Sequence, residues 1–184
     1  MAGWWPNVEV RMSRKPDEQE LERAAEAVGG LLMEAVQATI ADRTPDPSRE
    51  CVAEFLSIDD KVAPEDDGGP TELVATLTLV QWLSAARNEL LDRPGRVEEA
   101  LGWIEDAMGR RYRSRARYTC GALESADGAR ESMEYAAALQ DDFLPSMIWL
   151  VAGVVAVHGE GDVTWLRRLA GPEQLLSGVA ADLF

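Results

Sequence analysis

Cysteine, histidine and lysine are scarce in this chain of 184 residues. Cys51 and Cys120 form neither a disulfide framework nor a C-x-x-C metal pattern, and free thiols are typical of a reducing cytosol. His158 is the only histidine, which excludes sites that need a second one, such as the H-E-x-x-H motif. Lys15 and Lys61 are the only lysines among 18 basic residues. This arginine bias, with abundant alanine and glycine, is typical of a bacterial genome of high GC content.

The sequence also lacks long hydrophobic stretches. Its longest apolar run, 147–157, has 11 residues, whereas a membrane-spanning helix needs about 20. No basic segment followed by an apolar stretch opens the chain, so no signal peptide is predicted. We therefore expect a cytoplasmic protein with no membrane segment. Neither a nucleophile elbow nor a glycine-rich phosphate loop occurs, and no cofactor is predicted.

The most apolar part of the chain is 143–158, which has no polar residue between its first turn and its last residue. We predict a helix that is buried on nearly every side. Pro145 suits a first turn, and Gly159 suits a left-handed position after the last turn. Asp141 or Asp142 is expected to cap the N-terminus. The other segments are expected to pack around this helix.

Helical periodicity recurs along most of the chain. Clear amphipathic patterns predict helices over 16–43 and 96–109. Further helices are predicted over 71–92, 112–126, 128–140, 162–170 and 172–183. The fold class is therefore predicted to be mainly α, a single compact domain of about seven or eight helices around 143–158.

Three stretches keep a strand open as an alternative. Period-two alternation in the N-terminal arm, 1–15, predicts a short strand, and 51–58 and 73–80 each fit either a helix or a strand. An α+β domain spanning 4–80 is therefore the alternative fold. The segment 59–70 carries five carboxylates, two glycines and two prolines, which predicts an exposed acidic loop.

The chain is strongly acidic, with 33 acidic residues and a formal net charge of −15. Such a charge favours solubility, disfavours binding to nucleic acid and suits a basic protein partner. A soluble, non-enzymatic protein that binds another protein is therefore the leading hypothesis, and an immunity-like or antitoxin-like role is one form of it. Trp4 and Trp5 are expected to pack on this chain or on a second copy, which leaves a homo-oligomer open.

Polar residues at the two ends of 143–158 are the candidates for catalysis or metal binding. Asp141, Asp142 and His158 are the candidate catalytic residues, because carboxylates and imidazoles transfer protons. His158, Glu160 and Asp162 are candidate metal ligands at a spacing of two. A small enzyme or metal-binding protein is therefore one alternative function. Helix capping explains the same residues without chemistry, and we predict no metal.

Five arginines crowd into 110–117, interleaved with tyrosine. Arginines with aromatic neighbours bind phosphates and stack on bases, so a regulator that contacts phosphate or nucleic acid is a second alternative function. The candidate binding residues are Arg110, Arg111, Tyr112, Arg113, Arg115, Arg117 and Tyr118. The preceding predicted helix offers internal ion-pair partners instead, namely Glu98, Glu99, Glu105 and Asp106.

Overall fold

Seven helices make up the part of the chain that the structure describes. The structure, a computed structural model, describes residues 18–62, 70–90, 96–125 and 142–169. The helices are α1 (Glu18–Asp42), α2 (Asp46–Val62), α3 (Pro70–Leu90), α4 (Arg96–Met108), α5 (Arg110–Ser125), α6 (Phe143–His158) and α7 (Thr164–Leu169). No strand occurs within these ranges, so the mainly α prediction is confirmed. None of these seven helices combines the length and the apolar character needed to cross a membrane.

Both internal stretches that fit a strand on sequence are helical. Segment 51–58 lies within α2 and 73–80 lies within α3, so the α+β alternative is wrong for these two stretches. Residues 74–79 are all buried, which removes the polar face that marks a helix in a sequence. The N-terminal arm and the helices predicted over 128–140 and 172–183 lie outside the described residues.

The segment predicted as an exposed acidic loop begins as helix instead. α2 continues to Val62 and α3 begins at Pro70, while residues 63–69 lie outside the described ranges. Asp59 is buried, and its Oδ1 accepts a hydrogen bond from the backbone N–H of Thr71 at 3.0 Å. This bond satisfies a free N–H in the first turn of α3. The loop prediction is wrong at Asp59 because its partner lies 12 residues further along the chain.

α6 is the helix around which the others pack, as the sequence predicts. Twelve of its residues are buried, and it contacts each of α1, α2, α3, α4 and α5. Ile148 and Val155 belong to a hydrophobic cluster shared with α1, α2, α3 and the residues around α7. Trp149 and Leu150 belong to a second cluster shared with α4 and α5. α6 therefore lies between two hydrophobic clusters and contributes to both.

The two ends of α6 differ from the predicted caps. Asp142 precedes the helix, but its side chain makes no capping hydrogen bond. At the other end Gly159 has a φ of −97°, and the left-handed residues are Glu160 and Gly161. A Cβ at Gly159 would lie 3.0 Å from the Val155 carbonyl oxygen and 3.3 Å from the Trp165 ring, so a larger residue would crowd both groups. At the C-terminal end the N–H groups of Gly159 and Gly161 both donate to the Val155 carbonyl oxygen, at 2.9 and 3.0 Å. Local backbone hydrogen bonds therefore close this end of α6.

Buried polar side chains join α6 to its neighbours. Trp149 Nε1–H donates a hydrogen bond to Ser48 Oγ of α2 at 2.5 Å, and the Ser48 hydroxyl donates to the Pro45 carbonyl oxygen at 2.6 Å. Ser146 and Thr119 of α5 share a hydrogen bond of 2.6 Å between their hydroxyl oxygens. Burying a polar group without a partner is costly, so these bonds favour the observed placement of α2 and α5 against α6.

α4 and α6 approach most closely at Gly153. A Cβ at this position would lie 2.8 Å from the carbonyl oxygen of Ala100 on α4, a distance that close-packed atoms do not tolerate. Any larger side chain would therefore push the two backbones apart.

We predict that Gly153→Ala lowers the free energy of unfolding by about 1–3 kcal/mol through overpacking. The matched control is Gly30→Ala in α1, where a Cβ would meet nothing within 4 Å. This control should raise the free energy of unfolding by about 0.5–1 kcal/mol, because alanine favours the helix. Urea unfolding followed by circular dichroism measures both changes. A Gly153→Ala variant as stable as the wild type would contradict the close helix contact.

Candidate functional site

A tight turn at Gly109 brings α5 back along α4. Gly109 has a φ of 103°, a conformation that glycine adopts without strain, and its N–H donates to the carbonyl oxygen of Glu105 at 2.8 Å. α5 begins at Arg110 and packs on α4. The turn therefore places the arginines of 110–117 beside the carboxylates of α4.

Three arginines of α5 form ion pairs with two glutamates of α4. Arg110 Nε lies 3.1 Å from Glu105 Oε1, and Arg113 also contacts Glu105. Arg113 and Arg117 lie 3.3 and 2.6 Å from Glu98 Oε2. A hydrogen bond from Arg117 lowers the pKa of Glu98, and one from Arg113 lowers the pKa of Glu105. One face of α5 is therefore partly neutralised by α4.

A different face of α5 carries Arg115, which contacts the carboxylate of Asp142 at the start of α6. Arg49 of α2 approaches the other oxygen of this carboxylate, Oδ1, at 3.5 Å. The Arg49 guanidinium carbon also lies 5.7 Å from the centroid of the Tyr112 ring, and this ring meets Trp149 edge-on at 5.1 Å. Asp142 is thus shared by arginines from two helices, which replaces its predicted role as a helix cap.

Arg110, Arg111, Arg117 and Tyr118 are the exposed residues of the predicted binding set, and Arg110 and Arg117 pair with glutamates of α4. Arg111 is exposed, and Tyr118 is 61% exposed. Neither side chain has a hydrogen-bond or ion-pair partner within the described ranges. Arg111, Arg115 and Tyr118 share a face of α5 because they are spaced by four and three residues. The predicted binding residues therefore divide between two faces of the helix.

His158 at the end of α6 is held by Arg96 at the start of α4. Its side chain is 2% exposed. Nδ1 lies 2.9 Å from the Arg96 guanidinium, and Nε2 lies 3.2 Å from the Arg96 carbonyl oxygen. A guanidinium only donates and a carbonyl only accepts, so these two contacts assign Nδ1 as the acceptor and Nε2 as the donor. Both ring nitrogens of this candidate catalytic residue are therefore engaged in structural hydrogen bonds.

The three candidate metal ligands at the end of α6 do not converge. Asp162 Oδ1 accepts hydrogen bonds from the backbone N–H and the hydroxyl of Thr164 at 2.9 and 2.7 Å. Glu160 is exposed, and His158 is engaged as described above. Among the described residues, no group of three His, Cys, Asp or Glu side chains could hold a metal ion. Asp141, the remaining candidate for catalysis, lies outside the described residues.

Three of the exposed carboxylates on α1 and α2 that lack counter-charges lie near Cys51. Glu34, Glu50 and Glu54 are exposed, and no ion pair joins them to another described residue. Two of these carboxylates affect the pKa of the nearby Cys51 thiol. Its burial, followed by the charges of Glu54 and Glu34, raises the pKa of this thiol to about 12. We call Glu34, Glu50 and Glu54 the α1–α2 acidic face.

Arg49 and Arg96 contact the candidate residues Asp142 and His158, but no pattern in the sequence predicts these contacts. Arg49 and Asp142 are 93 positions apart, and Arg96 and His158 are 62 positions apart. Contacts over such separations arise from helix packing, which hydrophobic periodicity does not encode. The pairing of arginines with the α4 glutamates is easier to predict from the sequence, because only a short turn separates the two helices.

The lowered pKa values of Glu98 and Glu105 predict how the α4–α5 ion pairs respond to acid. In an unfolded chain glutamate titrates at about 4.3. The ion pairs therefore stabilise the fold above that pH, and their contribution is lost as the pH falls through the lower folded-state pKa values. We expect Arg113→Gln to melt below the wild type near pH 6 and to approach it near pH 3. Thermal unfolding followed by circular dichroism across this range measures the difference.

The matched control for this experiment is Arg111→Gln, which removes the same charge from a position without a partner in the described ranges. Its melting temperature should run parallel to that of the wild type across the same pH range. If both variants show the same pH profile, the α4–α5 ion pairs do not carry the effect.

Asp142 and His158, the described candidates for catalysis, are each engaged by arginines. The charged groups that face solvent include the α1–α2 acidic face and part of α5. These two surfaces are the candidate functional sites. The chain matches no protein-family model, no curated protein and no solved structure.

Proposed function

We propose that this chain is a soluble, cytoplasmic bacterial protein that acts without catalysis, by binding a basic protein through the α1–α2 acidic face. The observation that carries the proposal is a contrast between two charged surfaces. Four of the five arginines in 110–117 form ion pairs with carboxylates of the chain itself. Glu34, Glu50 and Glu54 lack such counter-charges within the described ranges. An immunity-like or antitoxin-like neutralisation of a basic partner is one form of this function.

Electrostatics supports a basic partner in two ways. The net charge of −15 attracts a basic protein over distances longer than a contact and raises the rate of association. Exposed carboxylates at the rim of an interface then pair with lysine or arginine of the partner and fix its orientation. Because both effects are screened by salt, the complex should weaken as ionic strength rises.

The candidate catalytic residues support a non-enzymatic role. Proton transfer from Asp142 would require it to leave Arg49 and Arg115, and His158 would have to give up both of its hydrogen bonds. The free thiols of Cys51 and Cys120 are compatible with a reducing compartment, which supports the cytoplasmic part of the proposal.

Charge reversal on α2 tests the proposal. We expect the tagged wild-type protein to recover a basic protein from native cells at low salt and to release it at moderate salt. The double variant Glu50→Lys with Glu54→Lys should no longer recover that protein, because the reversed charges repel it. Both positions are exposed, so the variant should fold normally, which its circular dichroism spectrum checks.

The matched control reverses two exposed carboxylates elsewhere, Asp106→Lys with Glu160→Lys. It changes the net charge by the same amount and should still recover the basic protein. Equal loss in both double variants would mean that only the net charge matters. Repeated recovery of the wild-type protein alone would rule out the proposed partner.

A further inference from the structure

The arginines near α5 are unequally neutralised on its two faces. Toward α4, three arginines meet two glutamates. On the other face, Arg115 and Arg49 of α2 share one ion-pair partner among the described residues, Asp142, and Arg111 has none. We call Arg49, Arg111 and Arg115 the arginine triad. Among these groups the arginines outnumber the carboxylates by two on this face and by one on the α4 face.

All members of the arginine triad reach solvent. The side chains of Arg49 and Arg115 are 40% and 37% exposed, that of Asp142 is 24% exposed, and Arg111 is exposed. Arg111 lies one helical turn before Arg115, which separates their Cβ atoms by about 6 Å. Arg49 and Arg115 approach the same carboxylate, so a small ligand beside Asp142 would lie within reach of both, with Arg111 on the same face of α5 as Arg115.

We propose that the arginine triad binds a phosphate group, either free phosphate or the phosphate of a small organic monoester. The planar guanidinium donates paired N–H bonds to phosphate oxygens, and a dianion balances three arginines better than one carboxylate does. Asp142 holds Arg49 and Arg115 in place. The incoming phosphate accepts hydrogen bonds from these two arginines in place of Asp142. Arg111, which has no partner among the described residues, supplies the third guanidinium group.

The charge around the triad favours a small ligand over nucleic acid. A polymer of phosphates would extend from the triad across the acidic surface of the protein, and repulsion between charges acts over about 10 Å at 0.1 M salt. A single phosphate contacts only the triad. The site shares no residue with the α1–α2 acidic face, so phosphate binding can be tested whether or not a basic protein partner is found.

Calorimetric titration of inorganic phosphate and of phenyl phosphate into the full-length protein tests the site, with chloride holding the ionic strength constant. We expect saturable binding that Arg111→Ala weakens by about fivefold, a typical effect for one exposed charged contact. Asp142→Asn should tighten binding because it removes the competing negative charge. Arg111 is exposed and unpaired among the described residues, so Arg111→Ala should unfold at the wild-type temperature.

Tighter binding of phenyl phosphate would identify an organic monoester as the ligand class, and tighter binding of inorganic phosphate would identify the free anion.

The matched control is Arg110→Ala, which removes the same charge from the α4 face of α5. Its affinity for phosphate should stay within about twofold of the wild type, because a screened distant charge contributes little. Equal weakening by Arg110→Ala and Arg111→Ala would overturn the proposal, and so would weaker binding by Asp142→Asn. The site is also excluded if neither phosphate shows saturable binding. Binding of a single-stranded oligonucleotide without binding of either phosphate would exclude it in the same way.

Discussion

The burial of α6 is the constraint on which the rest of the structure depends. A helix with apolar side chains on every side is stable in water only when other elements cover all of its faces. α1, α2 and α3 cover one side, and α4 and α5 cover another. Gly153 lets the α4 backbone approach, and Ser48 gives the indole N–H of Trp149 a partner. The positions of the five surrounding helices therefore follow from the need to enclose α6.

The same packing decides how charge is distributed on the surface. Ala116 is buried in the second hydrophobic cluster, and the turn at Gly109 directly precedes α5. These two constraints fix the rotation of α5 about its axis. One arginine face then meets the glutamates of α4, while the other meets Asp142 and Arg49. In both groups the arginines outnumber the carboxylates that pair with them, and the difference is larger on the Asp142 side. Glu34, Glu50 and Glu54 remain without counter-charges within the described ranges.

Much of the described fold was predictable from periodicity, because the apolar residues of amphipathic helices repeat at the helical spacing. The clearest patterns, those of α1 and α4, correspond closely to the observed helices. Periodicity was ambiguous in α3, where buried residues leave no polar face. It was misleading at Asp59, since a carboxylate in an acidic segment looks solvent-exposed until its partner, Thr71, is known.

By itself the sequence determined the mainly α class, the buried position of α6 and the acidic charge, since each follows from composition or from the spacing of nearby residues. Only the tertiary structure decided which charged groups are neutralised. Asp142 was predicted as a helix cap and is held by Arg49 and Arg115, and His158 is held by Arg96. The physical reason is that a side-chain pair depends on the relative rotation and position of whole helices. These are set by the enclosure of α6 rather than by local spacing.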